Sequence, residues 1–247
     1  MLVALLKPAQ KRPASKKGAL APEGLLTNIL SHLLSVSLSV SDILSTQMPS
    51  EKNIAIFCAS ADGNRPLYLE LAREMGRVLA RRGYGAVYGG AQVGMMGALA
   101  EGVLSENGRI IGVIPHVLEK VEITHRGITE LHVVPNMHER KALIASKADA
   151  FIALPGGIGT FEEIFEVITW AQLRIHTKPC LFLNAAGYYD KLLDFMDYIT
   201  SEGMFRGSTM GILQVATTVE EALAIVEADW AKAEPTTEAR TAGLSLT

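Results

Sequence analysis

Two cysteines, 6% aromatic residues and no long apolar run define what this 247-residue chain is not. Cys58 and Cys180 each sit inside an apolar run with nothing secretory around them. They read as two buried free thiols, not a disulfide. Without an apolar stretch of about 18 residues there is no sequence case for a membrane span. The scarcity of aromatics leaves a core of aliphatic side chains and methionine, for which the 49% apolar share is ample. Positive charge is missing where a nucleic acid would need it. The chain holds 23 basic and 26 acidic residues; setting aside 1–50 and 232–247 leaves 16 and 22, a net of −6 for the body. An acidic body argues against a nucleic-acid surface, so an anionic ligand must be held by local donors. His116, His125, His132 and His138 have no second His or Cys at ligand spacing, which argues against a metal.

What is present falls into three parts. Residues 1–50 carry five basic groups against Glu23 and Asp42, and then a serine-rich stretch with leucines near helical spacing. They read as an N-terminal extension, either dispensable or an organellar targeting peptide on an otherwise cytoplasmic protein. Residues 232–247 are small and polar and read as a disordered tail. Between them, 51–231 form one domain in which strand and helix patterns alternate. "NIAIFCAS", "YGAVYGG", "RIIGVIP", "LHVVP", "AFIALP" and "PCLFLN" read as strands, and Gly83 and Gly108 as helix stops. Near-continuous apolar strands separated by helices predict an α/β fold: a Rossmann-like open parallel sheet with helices on both faces. Ligands of such sheets bind beyond the carboxyl ends of the strands. That places Ser60, Gly89–Gly90 and Pro155–Thr160 on one rim.

Three motifs on that rim carry chemistry. In "PGGIGTFEE" (155–163), glycines bring backbone N–H groups close to a ligand, and the helix that follows adds free donors and the positive end of its dipole. This is a seat for a phosphate. Thr160 and Glu163 also have capping-box spacing, so Glu163 has two open roles, helix cap and chemistry. Glu162 and Glu166 read as solvated or salt-bridged. "GGAQVGMMG" (89–97) either cradles a phosphate or sugar or lets helix and strand pack closely; it lacks the dinucleotide fingerprint and the P-loop lysine. In "MHERK" (137–141), Arg140 and Lys141 point in different directions on a helix, and His138 reads as a surface or capping residue.

Together these motifs resemble one family. "PGGIGTFEE" fits P-G-G-x-G-T-x-x-E, "MHERK" fits M-x-x-R-K, and "GGAQVGMMG" fits G-G-x-x-G-x-M-G. With "FCASADGNRPLY" ahead and "EVITWAQLRIHTKP" behind, residues 53–206 resemble the LOG family of cytokinin riboside 5′-monophosphate phosphoribohydrolases. "FCAS" departs from the commoner Phe-Cys-Gly-Ser. The resemblance implies hydrolysis of the N-glycosidic bond of an N6-substituted adenosine 5′-monophosphate to free base and ribose 5-phosphate, with no cofactor. It implies Arg140 and Glu163 as the catalytic pair. The substrate contacts it implies are Glu122, Arg140, Lys141, Gly157, Ile158, Gly159, Thr160, Phe161, Glu162, Glu163 and Thr169. It also implies a homodimer whose partner subunit helps build the pocket. The family's older label, lysine decarboxylase, carries little weight, since the residues offer no reasoned place for pyridoxal phosphate. Two rivals stand beside this reading: a hydrolase of purine monophosphates in general, and a non-catalytic nucleotide or cofactor carrier on the same fold.

Overall fold

The computed structural model of the chain describes residues 52–119, 124–205 and 211–233. The expected extension 1–50 and all but the start of the expected tail lie outside the described residues. Strand and helix alternate as β1 (Asn53–Phe57), α1 (Leu67–Arg81), β2 (Gly85–Tyr88), α2 (Gly94–Ser105), β3 (Ile110–Pro115), the single turn α3 (His116–Glu119), β4 (Glu130–Val134), α4 (Met137–Lys147), β5 (Ala150–Ala153) and α5 (Ile158–Gln172). The chain continues as β6 (Cys180–Leu183), a 3-10 turn (Ala185–Gly187), α6 (Asp190–Ser201), β7 (Leu213–Ala216) and α7 (Val219–Ala233).

All seven strands pair in parallel, in the order β4-β3-β2-β1-β5-β6-β7. Successive strand residues alternate between two apolar layers, which is why the strands read as unbroken apolar runs. Ile54 and Ile56 of β1 pack with Met75, Leu79, Leu99 and Val103 from α1 and α2. Ala55 and Phe57 pack on the opposite face with Ile144, Ile164 and Val167 from α4 and α5. Both cysteines are buried and free, as expected.

Some sequence expectations shift. β7 was not foreseen: it is four residues long, lies at the sheet edge, and buries only Ala216 fully. Gly83 closes α1 with φ 76°, but after α2 the left-handed turn falls on Asn107, φ 56°, not on Gly108. The expected domain end at 231 falls inside α7.

The strand order fixes the site. From β1 the chain builds β2, β3 and β4 outward on one side; it then returns to lay β5 against the other side of β1. The loops leaving β1 and β5 therefore part in opposite directions, and the crevice between them is the switch point at which such sheets bind ligands.

Candidate active site

The loop after β5 is the glycine motif. Gly157 is the N-cap of α5, which begins at Ile158, and no side chain caps it. This corrects the capping-box option: Thr160 lies inside the first turn, not ahead of it, so Glu163 is not placed to close the box. The first-turn amides are left without a side-chain cap at the positive end of the helix dipole.

Glycine spacing now has separable causes. A Cβ on Gly156 would stand 2.1 Å from the Thr160 hydroxyl oxygen, so that glycine is required by packing. A Cβ on Gly157 or Gly159 would meet nothing within 4 Å. Neither has a positive φ. Packing and backbone strain do not explain these two, and both line an open cavity of about 370 Å³. The second glycine motif resolves the other way. Gly94, φ 61°, carries α2 so close to the β1 loop that a Cβ would stand 2.3 Å from the Ser60 carbonyl carbon. The Met95 and Met96 amides at the head of α2 donate to the Ala61 and Ala59 carbonyls. Those donors are used within the protein.

Glu163 projects from the second turn of α5 and Arg140 from the first turn of α4, into the same cavity. They form an ion pair, Arg140 Nη1 to Glu163 Oε1 at 2.9 Å, with both residues buried at 7% and 8% exposure. A carboxylate is costly to bury alone; a guanidinium at this distance offsets that cost. Arg140 is fixed from behind by its Nε, which donates to the Val113 carbonyl at 3.1 Å. Gly89 makes the crossing possible, since a Cβ there would stand 2.3 Å from Arg140 Nη2. Asn136 caps α4 through the Glu139 amide at 3.0 Å. Val113 and Asn136 were not foreseen as parts of this site; Gly89 was expected on its rim, but not as the opening for Arg140. Only Gly89 left a signal, as part of a motif whose use was open.

The other implied site residues separate into groups. Ile158, Gly159 and Thr160 line the cavity with Glu163. Lys141 points away from Arg140, as expected of neighbours on a helix, and forms ion pairs with Glu162 and, at 3.1 Å, with Glu166. The hydrogen bond to Glu162 raises its pKa despite partial burial. Phe161 packs into the core against Tyr189, ring centres 5.9 Å apart. Thr169 is exposed, its hydroxyl donating to the Phe165 carbonyl at 2.7 Å. Glu122 lies outside the described residues. His138 is at the surface, as expected.

Cys58 also lines the cavity. Burial pushes its thiol well above the usual range, the Glu163 charge adds to this, and Arg140 opposes it. It is therefore no nucleophile near neutral pH. Ala59, the departure from the commoner glycine, lines this cavity and a second one beyond Gly157. Among the described residues no lysine lines either cavity, and no group of three or more His, Cys, Asp or Glu is placed to hold a metal. Also among them, no helix is long and apolar enough to cross a membrane.

Comparison with known proteins finds a matching family model, relatives and shared folds. Residues 96–226 match a family model described as "Possible lysine decarboxylase". The chain is 46% identical over 179 residues to the cytokinin riboside 5′-monophosphate phosphoribohydrolase of Rhodococcoides fascians, covering 72% of this chain and 90% of that one. It is 45% identical over 170 residues to an Arabidopsis thaliana protein of the same name, covering 69% and 80%. Among solved structures, the molybdenum cofactor carrier protein of Chlamydomonas reinhardtii superposes with a TM-score of 0.57 at 21% identity, covering 74% of this chain and 99% of that one. That of the cofactor-binding protein from Rippkaea orientalis superposes at 0.55 and 19%, covering 73% and 98%. These two share the fold. With the family model matching over half its length and relatives this similar over most of theirs, the chain belongs to the LOG family.

Proposed function

We propose that this chain hydrolyses the N-glycosidic bond of N6-substituted adenosine 5′-monophosphates, releasing the free base and ribose 5-phosphate. The relatives' names carry the substrate class. The observation that supports the chemistry is the buried Arg140–Glu163 pair facing the same cavity as the glycine loop. In the reaction, water adds to C1′, the bond from C1′ to the base nitrogen breaks, and the departing base takes up a proton. Positive charge develops on the sugar as the base leaves. Glu163 stabilises that charge and orients the water. The 5′-phosphate sits on the amides of Gly157 to Thr160 and fixes the ribose against the carboxylate. Gly159 and Glu163 are one helical turn apart, roughly 6 Å along the axis, so one pentose can address both. Arg140 holds the carboxylate in place and helps to position the nucleotide.

The outer face of α5 and the turn that follows it support a homodimer. Ile158 is 82% exposed, Leu173 and Ile175 65% each, and Thr169 and Glu162 lie exposed between them. In a dimer formed on this face, Thr169 serves the partner's pocket, not its own. Sedimentation of the full chain should give twice the monomer mass, and Leu173→Asp should shift it towards monomer with loss of turnover. A wild-type monomer with full activity would remove this arrangement.

The functional test compares initial rates on N6-isopentenyl-AMP and AMP, with chromatography of the free base. A strong preference for the prenylated nucleotide is expected. Equal rates favour a general purine monophosphate hydrolase, and nucleotide binding without released base favours a carrier.

A further inference from the structure

The proposed phosphate seat is short of positive charge. A 5′-phosphate brings close to two negative charges, whereas a helix N-terminus offers about half of one positive. The cations nearest the glycine loop are already engaged. Arg140 is held by Glu163 and the Val113 carbonyl. Lys141 is held by Glu162 and Glu166.

The second cavity, of about 440 Å³, lies beyond the glycine loop and shares Ala59, Ala61 and Gly157 with the first. Among the described residues one cation lines it: Arg65, on the loop that leaves β1. Among the described residues Arg65 makes no ion pair. Its guanidinium carbon stands 5.7 Å from the centre of the Tyr68 ring. Tyr68 meets Tyr188 edge-on at 5.6 Å, and the Tyr188 hydroxyl donates to the Gly156 carbonyl at 2.7 Å. A continuous set of contacts therefore runs from the unpaired guanidinium to the backbone of the glycine motif.

We infer that Arg65 is a substrate-binding residue that contacts the 5′-phosphate from the side of Gly157 opposite to Arg140. The inference rests on the reading above, in which the loop seats a phosphate. Three properties fit the role. Arg65 sits on the β1 side of the switch-point crevice and the amides on the β5 side, so the anion is gripped from both walls. The Tyr68 ring presents the guanidinium over its face and limits the freedom lost on binding. The guanidinium fork matches two phosphate oxygens at once, which a lysine ammonium cannot do. Arg65 itself is exposed, beside walls from Met95, Tyr68 and Tyr188, so it is free to meet an anion entering the crevice from solvent.

The test uses the full chain and ribose 5-phosphate as the probe. Calorimetric binding of ribose 5-phosphate should weaken about 10–100-fold in Arg65→Met, the scale of losing one charge-assisted pair of hydrogen bonds. KM for N6-isopentenyl-AMP should rise by a similar factor, with inhibition by the unphosphorylated nucleoside unchanged. Arg65→Lys should recover part of the loss. Unchanged ribose 5-phosphate binding in a folded Arg65→Met protein overturns the assignment, as does an equal loss for the nucleoside. Binding needs no turnover, so the two readings separate. A wild-type protein that binds ribose 5-phosphate through Arg65 but releases no base ends the proposed reaction and leaves this contact standing. A wild-type protein that does not bind it but releases base ends this contact and leaves the proposed reaction standing.

Discussion

At the scale of single residues, the decisive one is Glu163. Its sequence spacing allowed a helix cap; its position in the second turn of α5, buried against Arg140, does not. Glu163→Gln keeps the shape and removes the charge. Turnover should fall about 10²–10³-fold, the usual cost of one electrostatic catalytic group. Ribose 5-phosphate binding should survive, because the amides that seat the phosphate belong to the backbone. The measurement is a rate paired with a calorimetric titration on the same preparation; near-normal turnover would strip Glu163 of its chemical role. The substitution also removes the partner of a buried guanidinium, so a modest drop in stability is expected alongside. The type and spacing of Arg140 and Glu163 were legible in the chain. The resemblance implied them as a catalytic pair, but their ion pair was not legible from the residues, because 23 positions of sequence and a strand, β5, separate them.

At the scale of elements, the glycine motifs divide by what stands opposite each absent side chain. Gly157→Ala and Gly159→Ala place a methyl in open space at the head of α5. Each should fold with stability changed by about 1 kcal/mol or less: alanine suits the first turn better than glycine at 159 and the N-cap somewhat worse at 157. Each should still raise KM for the nucleotide about tenfold, because the methyl stands where the phosphate approaches. Gly89→Ala serves as the contrast: its methyl meets Arg140 Nη2 at 2.3 Å and displaces the guanidinium. Steady-state kinetics on the three proteins distinguishes seat from support. If Gly157→Ala and Gly159→Ala bind the nucleotide normally, the seat lies elsewhere. The strand–glycine–helix grammar was legible because each such unit is local in sequence. The second cavity was not, because its walls come from the β1 loop, α2, the glycine motif and Tyr188, joined only by the fold. β7 was missed for a related reason: a four-residue edge strand half open to solvent carries too little apolar pattern to read.

At the scale of the whole molecule, the sheet places the chemistry at one rim and part of its acid sensitivity at the other. His176 precedes β6, at the amino ends of the strands, against Phe151. Its Nδ1 accepts from the Lys178 amide at 3.1 Å, and its Nε2 bonds the Val167 carbonyl at 3.0 Å. That pair of partners fits the neutral ring with its proton on Nε2. Burial depresses the His176 pKa below the ordinary 6.5, and it does the same to His125, whose amide bonds the Gly90 carbonyl. A depressed folded-state pKa means the unfolded chain takes up the proton first as pH falls. Stability should therefore be level above about pH 7 and decline through 6.5 towards the lower folded values. A second loss should begin near pH 4.5, where Glu130, lowered first by Lys147 and then by His132, and Glu221, lowered first by the Thr217 amide, must be protonated. Urea unfolding at steps from pH 8 to 5 reads the first window. His176→Gln removes one of its two titrating groups while keeping an amide donor, so its stability at pH 7 should be lower and its decline between pH 7 and 5.5 shallower than in the unsubstituted chain. A decline of equal slope in both proteins would show that protonation of the half-buried His176 contributes nothing to the acid loss.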